Sequence, residues 1–203
     1  KVCDNPNNPQ LARFNDGGTD REGRFYAGTF WAPGDYHGAL LMRIDAQLRP
    51  QVIQCDLQGA NGLSFSPDNR WMFNSDSPER VVYKSALAAS GEPGPRTVFR
   101  QFSAEEGLPD GAAVDVEGGY WVAFYGGGRI ARFSADGTQL EEHLLPVPCP
   151  TMICFGGEGM RTLFITTTRE NMTPEECMRY PLSGAIFRLD VAVAGIAATK
   201  FPG

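Results

Sequence analysis

Only two histidines occur among the 203 residues, His37 and His143, and neither sits in an H-E-x-x-H context. A zinc site built on several imidazoles is thereby excluded within this chain. The five cysteines, Cys3, Cys55, Cys149, Cys154 and Cys177, are odd in number, irregular in spacing and without a C-x-x-C. They indicate neither a disulfide framework nor a zinc knuckle, and they favour a reduced, cytoplasmic setting. Cys149 and Cys154 read as small buried hydrophobes rather than a redox pair. No apolar run approaches the roughly 18 residues of a membrane helix. The longest, from Val191 to Ala198, is broken by Gly195 and stops at Thr199, so no membrane partner is expected. Lys and Arg are scattered singly, and 18 of them against 24 acidic groups leave a net charge of -6. Nucleic acid is therefore not an expected partner, because its phosphates call for clustered cations. Neither a G-x-S-x-G elbow nor a G-x-x-x-x-G-K-[ST] loop occurs, which removes the usual grounds for a serine hydrolase or a nucleotide binder. The start at Lys1 shows no initiator Met and no apolar h-region, and Asn171-Met172-Thr173, followed by Pro174, is weak support for export.

What is present is a chain with 42% apolar and 21% charged residues, too hydrophobic to stay solvated and long enough to bury a core. A strand-like segment behind an acidic, Gly-containing turn recurs at Asp20-Arg21-Glu22-Gly23-Arg24-Phe25, Asp68-Asn69-Arg70-Trp71 and Asp115-Val116-Glu117-Gly118-Gly119-Tyr120. A fourth copy runs from Gly156 to Thr166, at a spacing of about 40–45 residues that matches propeller blades. Each copy is followed by a second alternating segment: Ala39–Asp45, Arg80–Lys84, Arg129–Phe133 and Ala185–Asp190. Gly and Pro turn signals bound nearly every segment, and Gly126-Gly127-Gly128 reads as a tight turn because a strand follows it. The expectation is an all-β protein of four-stranded antiparallel blades, with a β-sandwich as the plainer competitor. Helical signal is confined to one turn over Pro174–Arg179 with Thr173 as N-cap and a second over Ser85–Ala89.

One set of polar residues precedes these segments: Arg13-Phe14-Asn15-Asp16-Gly17, Asn61-Gly62-Leu63 and Pro109-Asp110-Gly111. In a propeller the innermost strands line a central channel, so Asn15, Asn61 and Asp110 converge on one pocket. The competing reading is turn chemistry alone, since Asn-Gly and Asp-Gly are common turn dipeptides. Asp16-Gly17 is assigned to a turn.

Arg13–Gly17, Asn61-Gly62-Leu63-Ser64-Phe65-Ser66-Pro67-Asp68, Leu108-Pro109-Asp110-Gly111 with Asp115, Trp121-Val122-Ala123 with Gly127-Gly128-Arg129, and Pro150-Thr151 with Phe155-Gly156-Gly157 stand in one consistent order. In these motifs the chain resembles the gluconolactonase, senescence-marker-protein (regucalcin) and luciferin-regenerating-enzyme family, from about Leu11 to the C-terminus. The resemblance implies a six-bladed β-propeller with one divalent metal, and a lactonase that opens small-molecule sugar lactones. It implies Asn61 and Asp110 as metal ligands, Asp110 also as general base, and Arg13 and Asn15 as substrate-binding residues. An oxygen-only site suits Ca²⁺ first, with Mg²⁺, Mn²⁺ or Zn²⁺ as alternatives. A non-catalytic calcium-binding or regulatory propeller is the second reading. The family's third ligand, a glutamate near its N-terminus, has no counterpart here, and the loop Phe30–Tyr36 lacks the acidic pair of regucalcin-like members. Trp31 and Tyr36 stand between a lid over the substrate and ordinary surface packing. At about 40–45 residues per blade the chain makes four to five blades, against about 240–270 residues for six. It is therefore expected to be one propeller domain forming the C-terminal two-thirds of the family's fold, partnered by an N-terminal segment that carries the missing ligand.

Overall fold

The alternating segments become fifteen β-strands in a computed structural model that describes residues 2–202. Lys1, where the sequence opens without an initiator Met, lies outside the described residues, as does Gly203. Strands β1 (Ala12–Thr19), β2 (Phe25–Trp31), β3 (Ala39–Ile44) and β4 (Pro50–Leu57) form one antiparallel meander. A second comprises β5 (Ala60–Phe65), β6 (Trp71–Asp76), β7 (Val81–Ala86) and β8 (Thr97–Gln101). A third comprises β9 (Leu108–Val114), β10 (Tyr120–Tyr125), β11 (Arg129–Phe133) and β12 (Gln139–Leu144). The fourth has three strands, β13 (Pro150–Gly156), β14 (Thr162–Thr167) and β15 (Ile186–Asp190). The protein is thus all-β and propeller-like with four blades, and the last departs from the expected four strands. After Asp190 the chain folds back as single bonds instead of a ladder: Val191 N–H donates to Arg161 O at 2.8 Å and Gly195 N–H to Met160 O at 2.8 Å. Gly195 lies against the Phe155 ring, where no Cβ fits.

Residues 1–101 with 198–203 form one compact unit, and residues 102–197 form another. In the first, Tyr26, Leu41 and Leu57 of one sheet bury against Leu63, Phe65 and Met72 of the next. In the second, Trp121 and Ile130 bury with Ile153, Leu163 and Ile165. Each such side chain contributes about 1.5–3 kcal/mol by leaving water.

Thr173 caps helix α1 (Pro174–Arg179) as the sequence indicates, in a reciprocal capping box with Glu176. The expected helical turn over Ser85–Ala89 does not form. Ser85 and Ala86 pair with Met72 and Trp71 at the end of β7, and Leu87 is buried and bridges to Pro93. Ladder pairing and burial outweigh the helix preference of three alanines and a leucine. Cys154 is also corrected: Cys149 is buried, but strand alternation turns Cys154 outward to an exposed position. All five thiols are free.

The recurring aspartates are hairpin anchors. Asp20 accepts the N–H groups of Glu22 and Arg24, both at 3.0 Å, and the Arg24 Nε–H at 2.6 Å. Asp115 accepts those of Glu117 and Gly119 at 3.0 and 2.8 Å, with Arg132 Nε–H at 2.7 Å and Trp121 Nε1–H at 2.9 Å. Asp68 plays the same part on the surface, where the Ser66 hydroxyl and then Arg70 hold its carboxyl down to about 2. A folded value below the unfolded one, about 3.9, means a contribution present above pH 4 and lost as the pH falls through 2. Solvent screening keeps that contribution small. A ¹³C titration of the Asp68 carboxyl should show a midpoint near 2, and Ser66→Ala should move it upward; an unmoved midpoint contradicts the assignment.

Candidate functional site

Asn15, Asn61 and Asp110 do not sit in hairpin turns. Each lies in the first strand of its sheet, beside a break in register: between Phe14 and Gly17 in β1, between Asn61 and Ser64 in β5, and opposite Val122 and Phe124 in β9, between Ala112 and Pro109. The turn reading is corrected on this point. The glycines and short polar side chains serve bulges, which need unusual backbone angles as turns do and which re-aim a side chain out of the strand's alternation. Gly62 has φ +59° within its bulge. A fourth break falls between Pro150 and Met152 in β13 and singles out Thr151, whose hydroxyl lies 2.8 Å from that of Thr166.

In the first unit the structure brings Asn15 and Asn61 together. The Asn15 amide donates to Asn61 Oδ1 at 2.7 Å and to Ala60 O at 3.1 Å. The Asn61 amide nitrogen donates to Ser77 Oγ at 2.8 Å. This relay fixes the Asn61 side chain, with its nitrogen on Ser77 and its carbonyl oxygen toward Asn15. One lone pair of that oxygen is committed to Asn15, and the amide carbonyl has a second. Arg13 is exposed and stacks its guanidinium over Phe30, 5.0 Å from the ring centroid. Ser77 escaped the sequence reading, and only the pairing of β5 with β6 reveals it.

Trp31 is half-buried against the core, donates Nε1–H to Asp35 at 2.9 Å, and meets Tyr36 edge-on at 5.8 Å. Tyr36 itself is 62% exposed. Trp31 is therefore a packing residue, and Tyr36 is the exposed tip of that loop. Beside it His37 Nε2 lies 2.9 Å from Glu79 Oε1.

In the second unit Asp110 is half-buried in the β9 bulge. A Cβ at the neighbouring Gly111 would strike the Met152 side chain and Thr151 backbone, so β9 and β13 approach closely there. Burial pushes the nearby Cys149 thiol up, with the charges of Glu176 and Asp110 adding to it. That thiol is a poor nucleophile. Among the described residues no three His, Cys, Asp or Glu side chains gather at metal-binding range. Each unit by itself offers oxygen donors at its bulge, amide oxygens in the first and a carboxylate in the second, and oxygen suits a hard cation rather than a soft one.

The family model described as SMP-30/Gluconolactonase/LRE-like region matches residues 1–169. The chain belongs to this family. Within it, the chain is 47% identical to 6-deoxy-6-sulfogluconolactonase of Pseudomonas putida over 204 residues, covering 100% of this chain and 70% of that protein. It is 35% identical to regucalcin of Homo sapiens, covering 97% of this chain and 69% of that one. Among solved SMP-30/gluconolactonase-like folds, the calcium-binding protein regucalcin from Agrobacterium tumefaciens superposes with a TM-score of 0.90 at 25% identity, covering 95% of this chain and 66% of that one. The chain thus spans about two thirds of the length of these relatives. Among the described residues no helix is long and apolar enough to cross a membrane.

Proposed function

We propose that this chain carries Asn61 and Asp110 as ligands of a divalent-cation centre that hydrolyses sugar lactones. The observation that carries the reading is its 47% identity, over its whole length, to a sulfogluconolactonase. The fixed Asn61 amide supports it, because a carbonyl oxygen already held in place is suited to a hard cation, Ca²⁺ first and Mg²⁺, Mn²⁺ or Zn²⁺ next. Such a cation supplies Lewis acidity toward the lactone carbonyl and lowers the pKa of water. Asp110 takes the proton of the attacking water as its oxygen bonds to the carbonyl carbon. The ring C–O bond then breaks, the departing alkoxide takes up the proton that Asp110 holds, and a hydroxy acid is released. Arg13, steadied over Phe30, offers a fixed positive charge to the oxygens on which negative charge builds, and Asn15 holds the substrate beside Asn61.

The same reading makes the chain part of one six-bladed propeller domain whose further segment supplies an acidic ligand. It is supported by the share of the relatives' length that the chain spans. An open apolar cavity of about 620 Å³ on the first sheet, lined in part by Phe14, Phe25, Ile44 and Phe201, also supports it. The free thiols favour a cytoplasmic setting. Calcium binding without hydrolysis is the competing reading, favoured by the regucalcin relationship. A pH-stat assay over a panel of sugar lactones separates the two, since robust turnover removes the second reading and its absence alongside calorimetric calcium binding removes the first. Ser77→Ala, which releases the Asn61 amide, should weaken calcium binding about 10–100-fold by calorimetry, as loss of a partner behind a metal ligand does. Unchanged affinity would count against Asn61 as a ligand.

A further inference from the structure

We propose that Asp16 is a positioning residue: its carboxylate holds the bulge of β5 in place, so that Asn61 presents its carbonyl oxygen in one fixed orientation. The sequence assigns Asp16 to a local turn, and the structure does not bear that out. Its Oδ1 accepts the adjacent Gly17 N–H at 2.8 Å, but its Oδ2 reaches into the neighbouring sheet and accepts Leu63 N–H at 2.9 Å. Asn15, the preceding residue, grips the other side of the same bulge through Ala60 O and Asn61 Oδ1. Two consecutive side chains of β1 thus tie the backbone of β5 on both sides of Asn61.

The surroundings leave little slack. Gly17 cannot carry a side chain, because a Cβ there would come within 2.8 Å of Tyr26 O, and Gly62 is in the left-handed region. The carboxylate sits at the polar margin of the apolar cavity that Phe14, Phe25 and Phe201 line. Burial pushes its carboxyl up, while the N–H groups of Leu63, Gly17 and Gly62 oppose that shift. A carboxyl group that accepts backbone N–H groups of two strands is a tether, since a turn aspartate needs only its own loop.

The functional half of this inference rests on the reading of Asn61 as a cation ligand, whereas the tether itself does not. Asp16→Ala and the near-isosteric Asp16→Asn, which keeps one acceptor oxygen, should therefore be compared with the unmodified protein in two arms. In ¹⁵N NMR, Asp16→Ala should speed hydrogen exchange at the Leu63 amide about 10–100-fold and shift the side-chain NH₂ signals of Asn61 and Asn15, with Asp16→Asn intermediate. In calorimetry the alanine variant should bind calcium about 10–100-fold more weakly, with partial recovery in Asp16→Asn. Leu63 still protected and Asn61 signals unmoved in Asp16→Ala would overturn the tether. So would exchange that accelerates equally at every amide, the mark of a general loss of stability. A protein that binds no calcium but shows the NMR changes would overturn the cation reading and leave the tether standing.

Discussion

Asp110→Ala should lower kcat/KM for lactone opening by about 10²–10⁴-fold, the usual loss when a general base is removed. Asp110→Asn should fall as far, because an amide of the same size cannot take the proton. Asp110 is half-buried in a bulge, and the fold rests mainly on the buried residues of the sheets. The melting temperature of both variants should therefore stay close to that of the unmodified protein. A pH-stat assay beside a thermal melt separates the contributions. Full turnover by either variant would remove Asp110 from the chemistry, and a collapsed melt with lost turnover would assign it to stability. Arg13→Ala should lower kcat more than it raises KM, since the proposed part of its guanidinium, held over Phe30, is to meet the negative charge that builds as the ring opens.

Asp115→Ala should destabilise the protein by about 3–5 kcal/mol, the loss expected when one partner of a buried ion pair is removed. Asp115 is fully buried, and its removal strands the Arg132 guanidinium together with the indole N–H of Trp121 and the amide of Gly119. Arg132 keeps Glu117 at 2.8 Å and Glu141 at 3.3 Å, but Glu117 is 65% exposed and offers a screened charge in exchange for a buried one. Asp136 has the same turn chemistry, accepting Thr138 N–H at 3.1 Å, but on the surface. Asp136→Ala should therefore cost far less than Asp115→Ala. Urea unfolding followed by tryptophan fluorescence measures both, and equal losses at the two sites would contradict the part given to burial.

The aspartate repeat was legible as a repeat but not as a device. Its spacing marks the hairpins at Asp20, Asp68 and Asp115, while the bonds that make each aspartate an anchor appear only once the strands are paired. Strand positions were legible from the alternating segments, as at Arg129–Phe133, which is β11 residue for residue, although burial there is not one-sided: all five residues are buried, the two arginines in ion pairs. The Asn-Gly and Asp-Gly dipeptides misled for a physical reason. Turns and bulges draw on the same permissive backbone, and only the register at Asn61 and Asp110 tells them apart. Ser77, the contact of Thr151 with Thr166 and the reach of Asp16 to Leu63 were out of sight, because each depends on a partner many residues away. Ser85–Ala89 and Cys154 went astray because local preference and residue type yielded to strand pairing.

The most direct test is lactone opening by the protein before and after exhaustive chelation, followed by return of single metals. Turnover that vanishes on chelation and returns with Ca²⁺, or with Mg²⁺, Mn²⁺ or Zn²⁺, in the unmodified protein but not in Asn61→Ala is the predicted result. Turnover that persists undiminished in the chelated protein would contradict it.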